Sequence, residues 1–165
     1  MLMPNKALLT LAFALSLPLQ AAADDIHDAA KSGDVAKVIN LIDAGAMIDA
    51  IDLLDKTALI WASENDHTDV VQALVDRGAS VDNADFTGRT ALYFAATEGF
   101  EGIVQILIEA GADVNLEDSE GTRPLDHPIN RGHAAIIEIL TEAGAICGTN
   151  FMDSLACSER FGKSE

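Results

Sequence analysis

The chain repeats itself with a period of 33 residues, and this period restricts the possible folds more than any other feature of the sequence. The segment that begins at Thr57 aligns without a gap on the segment that begins at Thr90, and the pattern extends to Arg123 and back to Asp24. Glycine followed by alanine recurs in the same register, at Gly45, Gly78, Gly111 and Gly144. Such a period predicts a stack of similar units that share one continuous core.

Each unit has the pattern of a short helix, a turn, a longer helix and a polar loop. In the third unit, Thr90 is the expected helix cap, the first helix ends at Gly99, and apolar residues at helical spacing place the second helix over residues 101–109. The second unit has Asp66 where the third has Gly99, and aspartate tolerates the left-handed conformation of a helix end. The expected unit boundaries are near residues 24–51, 52–84, 85–117 and 118–148.

The third unit, GRTALYFAATEGFEGIVQILIEAGADVN, resembles the ankyrin repeat, whose pattern is G-x-T-P-L-H-x-A-A-x-x-G-H followed by L-L and G-A-D-V-N. The resemblance extends over residues 24–148 and implies an all-α repeat solenoid of about four helix-turn-helix units with protruding β-hairpin-like loops, here called fingers. Alanine replaces the proline of the pattern at Ala58 and Ala91. The fourth unit has Arg123 in place of the capping threonine and Pro128 inside its first helix, so we expect that helix to be distorted or shortened.

The N-terminal segment has the features of a secretory signal. Lys6 precedes an 11-residue apolar run over residues 7–17, and Pro18 and the alanines at 21–23 follow it. A run of this length is too short to cross a bilayer, which takes about 20 apolar residues. We therefore expect residues 1–23 to be removed and the mature protein to be secreted without a membrane anchor, into the periplasm of a bacterium. The alternative is an uncleaved, buried helix.

The chain is strongly acidic, with 27 acidic and 10 basic residues and a net charge of −17. Removal of residues 1–23 takes away one lysine, Lys6, and would make the mature chain one charge more negative. Such a field repels nucleic acids and anionic membrane surfaces and attracts basic proteins. We expect a basic protein partner, no nucleic-acid binding, and a monomer in isolation.

The motifs of the chain predict no enzyme activity, no cofactor and no metal site. The histidines, at positions 27, 67, 127 and 133, are dispersed, and His67 and His133 occupy equivalent turn positions where the ankyrin pattern prefers histidine, which favours a structural role. The acidic loops at 82–85 and 117–121 lack the alternating aspartates of a calcium loop. A metal or haem carrier that supports a peroxide-removing enzyme is the alternative function, and it requires histidines or tyrosines that converge on one face.

The two cysteines, Cys147 and Cys157, both lie near the C-terminal end of the chain. In an oxidising compartment this pair predicts a disulfide that staples the tail, residues 149–165, over the last unit. The alternative is a redox-active pair, which usually has two intervening residues.

The resemblance to ankyrin repeats implies a binding surface formed by the finger tips and the exposed side of the first helices. The register places the following residues there: Leu53, Leu54, Phe86, Thr87, Ser119 and Glu120 at the tips, Lys56 and Arg89 behind them, and Glu64, Asn65, Thr97 and Glu98 on the first helices. Trp61 is expected to lie in the core instead.

Two neighbouring tips are apolar, with Leu53 and Leu54 on one and Phe86 on the next. Apolar side chains at exposed tips inside a charged rim, here expected from Asp52, Asp55, Asp82 and Asp85, have the composition of a binding hot spot. A single leucine could instead fold back against Ile51. The sequence thus favours an exported, non-catalytic protein-interaction module, either an inhibitor or immunity protein or an enzyme accessory.

Overall fold

The computed structural model of the chain describes residues 26–148. These residues form eight helices in two parallel rows: α1 (residues 26–32), α2 (Val35–Asp43), α3 (Ala58–Glu64), α4 (Thr68–Asp76), α5 (Ala91–Glu98), α6 (Glu101–Glu109), α7 (Asp126–Arg131) and α8 (Ala134–Glu142). Within this part of the chain, Ala84 and Thr90 form an isolated antiparallel β-bridge. The expected all-α repeat solenoid is therefore confirmed. The signal peptide at 1–23, the tail at 149–165 and the disulfide partner Cys157 lie outside the described residues and stay predictions.

The helix ends follow the repeated sequence signals. The Thr57 hydroxyl accepts a hydrogen bond from the Ile60 amide, and the Thr90 hydroxyl accepts one from the Tyr93 amide, both at 3.3 Å, so each threonine caps a first helix. At the other end of α5, Gly99 has φ +88°, and the equivalent Asp66 after α3 has φ +59°. Both residues end their helices in the left-handed conformation that the sequence predicted.

The first helix of the fourth unit is shortened, as expected. Helix α7 has six residues, whereas α5 has eight, and no threonine caps it because Arg123 stands at that position. Asp126 partly replaces the cap, since its Oδ2 accepts a hydrogen bond from the Arg123 amide at 2.7 Å. Burial raises the pKa of Asp126 above that of an ordinary aspartate, although the Arg123 and Gly148 amides donate to its carboxylate.

The core is one apolar column that passes through all four units. The first helices α3, α5 and α7 pack side by side in one row, and the second helices α2, α4, α6 and α8 pack in the other. One position of each unit, at or directly before the start of its first helix, is almost completely buried, and its occupants are Ile26, Leu59, Leu92 and Leu125. Because adjacent units contribute to covering these side chains, the units are stable only as a stack.

A hydrogen-bond ladder links the loops that follow the second helices. The carboxylate of Asp49 accepts the Ser80 amide at 3.0 Å, and that of Asp82 accepts the Asp113 amide at 2.9 Å. Asn115 continues the ladder by accepting the Ile146 amide at 2.9 Å. Asp82 therefore joins two units and does not form part of a charged rim at the finger tips, so that expectation is wrong for Asp82.

The turn between α1 and α2 gives a stability prediction. A Cβ at Gly33 would lie 2.7 Å from Nδ1 of His67, whose Nε2 is bonded to the Lys31 carbonyl at 3.0 Å, whereas a Cβ at Gly78 would meet nothing within 4 Å. Both glycines have positive φ, so alanine costs about 1 kcal/mol of backbone strain at either position. We expect Gly33→Ala to cost about 1 kcal/mol more, because His67 must move and lose its bond. Urea unfolding of both variants measures the difference, and equal losses would contradict the proposed role of His67.

Candidate protein-binding surface

Each finger is a five-residue turn closed by an aspartate at its first position. In the finger at 52–56, Oδ1 of Asp52 accepts hydrogen bonds from the Leu54 and Lys56 amides at 2.7 and 2.9 Å. Asp85 and Asp118 make the same pair of bonds in the fingers at 85–89 and 118–122. The turn also places its fourth residue at positive φ, which Asp55 adopts with φ 56°. The aspartates thus fix the finger backbone before any partner binds.

Adjacent fingers are joined to each other through their backbones. The Leu54 carbonyl accepts the Phe86 amide at 3.2 Å, and the Thr87 carbonyl accepts the Ser119 amide at 2.8 Å. The tips therefore form one continuous edge, and the spacing between neighbouring tip side chains is set by the backbone.

The tips carry the exposed apolar side chains that the sequence predicted. Leu53 is completely exposed, Phe86 is 64% exposed and Leu54 is 43% exposed. The third tip, Ser119 and Glu120, is exposed and polar. The finger tips of the second and third units are therefore apolar, and the finger tip of the fourth unit is polar.

The expected charged rim is only partly present at these tips. Asp55 is exposed, but Asp85 is 4% exposed and its carboxylate is directed into its own finger. Its Oδ1 also accepts the Thr87 hydroxyl at 2.6 Å, and its Oδ2 accepts the Arg89 guanidinium at 3.1 and 3.3 Å. Asp85 is a turn-forming residue rather than part of a rim, and the half-buried Thr87 and Arg89 are bonded to it.

The electrostatics of Asp52 and Asp85 match this structural role. Burial disfavours the charged form of each carboxylate, but the hydrogen bonds that each accepts outweigh it and lower both pKa values below that of an ordinary aspartate. For Asp52 these donors are the Lys56 and Leu54 amides and the Trp61 indole, and for Asp85 they belong to Thr87 and Arg89. Both carboxylates therefore stay charged while they hold the fingers.

Lys56 and Glu64, which were expected to be available to a partner, form a pair with each other. Lys56 is 6% exposed, and its Nζ lies 2.6 Å from Oε2 of Glu64. The ammonium also lies 4.3 Å from the centre of the Trp61 ring and 4.6 Å from that of Phe94. The expectation that Lys56 is exposed is wrong, because two neighbouring units bury its stem and aromatic faces stabilise its charge.

The alternation of cations and aromatic rings continues along the first helices. The Arg89 guanidinium lies 5.0 Å from the Phe94 ring centre, and the Tyr93 hydroxyl is 2.7 Å from Nε2 of His127 in the fourth unit. Burial, together with the nearby negative charge of Asp118, raises the pKa of Tyr93 to about 12. Trp61, Phe94 and His127 are 33 residues apart, so the repeat itself generates this row.

The remaining predicted residues of the first helices differ in their environments. Thr97 is 9% exposed and is unsuitable as a contact residue, so its expected exposure is wrong. Asn65 is exposed and donates to the Trp61 carbonyl at 2.8 Å. Glu98 is exposed and pairs with Arg131 at 3.1 Å, which is a solvent-screened contact of little stability. Of these three residues, Asn65 and Glu98 could contact a partner.

A cleft of about 460 Å³ lies beside the first apolar tip. Its walls come from the first two units: His27, Asp28, Lys31, Asp52, Leu53, Leu54 and Trp61. Trp61 is half-buried, and its indole Nε1 donates to Oδ2 of Asp52 at 2.9 Å. The expectation that Trp61 belongs wholly to the core is therefore wrong, since it packs against the core and also lines a surface cleft.

The histidines of the described segment mostly bond to the protein itself. Nε2 of His27 lies 2.7 Å from the Ala50 carbonyl oxygen, that of His67 is bonded to the Lys31 carbonyl, and that of His127 to Tyr93. Within residues 26–148, His, Cys, Asp and Glu side chains form no group of three or more that could hold a metal ion. Over the same residues, no helix has both the length and the apolar composition of a membrane span.

Comparison with known families agrees with this geometry. A family model described as ankyrin repeats in three copies matches residues 26–118 and, again, residues 82–151, which together form most of the chain. The chain belongs to the ankyrin-repeat family. Ankyrin repeats are protein–protein interaction modules, and the family is typically non-catalytic. In a search of curated proteins, no sequence matches this chain.

Sequence reasoning missed two features of this ankyrin-repeat surface. Asp52, Asp85 and Asp118 recur at the 33-residue period, and each stands three positions before an aspartate or a glycine. This spacing is a sequence signal for a turn, and the structure gives those later residues positive φ. The stacking of Lys56 on Trp61 and Phe94 had no such signal, because it depends on the packing of neighbouring units.

The buried carboxylate of Asp85 gives a second prediction. We expect Asp85→Ala to destabilise the protein by about 2–3 kcal/mol, because the Thr87 and Arg89 amides lose their acceptor. Asp85→Asn keeps one oxygen for these amides, so its expected cost is smaller, about 1 kcal/mol at pH 7. Free energies of unfolding in urea measure both.

The pH dependence of the same variants tests the charge. The pKa of Asp85 is lowered in the folded state, whereas an unfolded aspartate has a pKa of about 3.9. The stabilisation is therefore complete above that value and is lost as the pH falls below it towards the folded-state pKa. The difference between wild type and Asp85→Asn should shrink below about pH 4. A difference that stays constant down to pH 2 would show that the charge of Asp85 contributes nothing.

Proposed function

We propose that this ankyrin-repeat protein is a non-catalytic binding module that recognises a basic protein through its finger tips. The observation that carries the proposal is the exposure of Leu53, Leu54 and Phe86 on two adjacent fingers whose backbones are fixed by Asp52 and Asp85. Contiguous exposed apolar groups of this kind are typical of interaction sites. Because the fingers are already ordered, binding costs little backbone entropy.

The charge of the chain supports a basic partner. The net charge is −17, and Asp28 and Asp55 are exposed beside the first apolar tip. A field of this sign accelerates the approach of a basic protein and repels acidic ones. The apolar tips then supply the area that is removed from water in the complex.

The biological role proposed for this binding is inhibition, immunity or support of an enzyme. A non-catalytic module can act in these ways by covering an active site or by stabilising its partner. A non-catalytic role is supported by the family, since ankyrin-repeat proteins are typically non-catalytic. A metal or haem carrier gains no support from the described histidines, because Nε2 of His27, His67 and His127 each lies within hydrogen-bond distance of another protein atom.

The proposed site of action is the bacterial periplasm. This part of the proposal rests on the signal-like composition of residues 1–23 and on the cysteine pair, both of which favour export.

A capture experiment tests the binding surface. Immobilised protein is exposed to a periplasmic extract of the source organism, beside a triple variant with Leu53→Ser, Leu54→Ser and Phe86→Ser. We expect a basic protein to bind the wild type and to be lost from the triple variant, because the side chains that bury apolar area are gone. Purified partner and calorimetry then give the affinity, which should weaken by about 100-fold or more in the triple variant.

A matched control distinguishes binding at the finger tips from nonspecific binding by other exposed apolar side chains. Ile146 is 53% exposed and Met47 is 60% exposed, but both lie in the loops after the second helices rather than on a finger tip. The variant with Ile146→Ser and Met47→Ser should retain the partner. Equal capture by the triple variant and the wild type would refute the proposed surface.

Export is tested separately. Residues 1–30, fused to a phosphatase that is active only after export, should give activity in a bacterial host and a mature product that begins at Asp24. Replacement of two leucines in the apolar run by arginine should abolish the activity, because a charged h-region is not recognised as a signal. Full activity of the arginine variant would remove the support for export.

A further inference from the structure

The cleft beside the first finger has the form of an open slot rather than that of an enclosed pocket. Leu53, which forms one wall, is completely exposed. The same finger is bonded to the next one through the Leu54 carbonyl and the Phe86 amide. A ligand in the cleft is therefore covered on one side only, and it can continue along the apolar edge. A segment of a protein chain fits this shape better than a small molecule, which is usually enclosed on most sides.

The walls of the cleft favour an apolar side chain. Leu53, Leu54 and the half-buried Trp61 supply its apolar surface. The volume of about 460 Å³ lies within the usual range of ligand pockets, about 300–1,000 Å³. The Trp61 ring already has the ammonium groups of Lys31 and Lys56 at 4.5 and 4.3 Å. A third cation has little to gain from this ring, so an incoming basic group should bind elsewhere.

The acidic groups of the cleft indicate where that basic group would bind. The carboxylate of Asp52 is already occupied by the Leu54 and Lys56 amides and by the Trp61 indole. Asp28 is an exposed residue of α1 that lines the cleft, so it offers a carboxylate in solvent. A cation that flanks the apolar side chain would therefore meet Asp28.

We propose that this cleft receives one apolar side chain, of leucine or phenylalanine size, from a basic segment of the partner protein, whose neighbouring lysine or arginine pairs with Asp28. This inference rests on the proposed function and adds to it the anchor residue and the half of the surface that binds it. Specificity then lies in the first two units, and Phe86 contacts a part of the partner outside the cleft.

Trp61 is the single tryptophan of the chain, so its indole N–H resonance reports on this cleft. The probes are capped pentapeptides: Gly-Lys-Leu-Arg-Gly, the same peptide with serine at the centre, and Gly-Glu-Leu-Glu-Gly. We expect the first to shift the Trp61 signal to saturation with a Kd of about 1 mM, which is typical of so small a contact. The other two peptides should bind about tenfold more weakly, because one lacks the anchor and the other is repelled.

Variants of exposed residues keep the test independent of folding. Leu53→Ser should weaken the binding of the basic leucine peptide about tenfold, because that side chain is an exposed wall of the cleft. Asp28→Asn should weaken it about threefold and should not weaken the binding of Gly-Glu-Leu-Glu-Gly, which has no cation to pair with Asp28. Ile146→Ser, at an exposed residue of the loop after α8 that does not line the cleft, should leave the peptide affinity unchanged. Equal shifts by all three peptides, or no saturation with any peptide at about 10 mM, would overturn the proposal.

The result is distinguishable from failure of the proposed function. Loss of the captured partner from the triple variant, without any peptide effect on Trp61, would keep the finger-tip function and refute the anchor cleft. A saturating, sequence-dependent shift at Trp61 of the wild type together with full capture by the triple variant, which lacks two walls of the cleft, would refute both the finger-tip function and the cleft as the anchor site of the partner.

Discussion

The stacking of one unit on the next is the constraint on which the whole molecule depends. Leu59 and Leu92 occupy the same position of successive units and are buried because a neighbouring helix covers each of them. A two-helix unit cannot enclose such a side chain alone, so the core exists only as a column. The repeat period is the expression of this constraint in the sequence, since an insertion within a unit would move the apolar position away from its neighbours.

The same periodicity places the binding edge. Stacked helices set the distance between fingers, and Asp52 and Asp85 then fix the shape of each finger through two backbone amides. The aspartate carboxylates that stabilise each finger are directed into it, so the side chains at the tips have no structural role. Leu53 and Phe86 can therefore vary without loss of the fold, and their apolar character has no explanation in the stability of the monomer.

The features that follow from the repeat period could be predicted from the sequence. The environments that depend on contacts between units could not. The caps at Thr57 and Thr90 and the exposed leucines follow from spacing and residue type. The burial of Lys56 could not be predicted in that way, because a lysine beside a turn is exposed by every local rule. Its environment comes from Trp61 in its own unit and Phe94 in the next, and the first-helix residue Thr97 is buried for the same reason of close packing.

Long-range attraction of a partner and short-range contact with it depend on different parts of the surface. Lys56 and Arg89 on the finger side are paired with carboxylates, so these two cations add little to the local field, in which Asp28 and Asp55 are exposed. The second helices instead end in an exposed acidic residue in every unit: Asp43, Asp76, Glu109 and Glu142. An acidic residue at a helix C-terminus opposes the helix dipole by about 0.3–1 kcal/mol, so this row lowers the stability of the monomer. It also contributes to the long-range field that attracts a basic partner, whereas the apolar tips act at contact. Salt should therefore slow association more than it speeds dissociation.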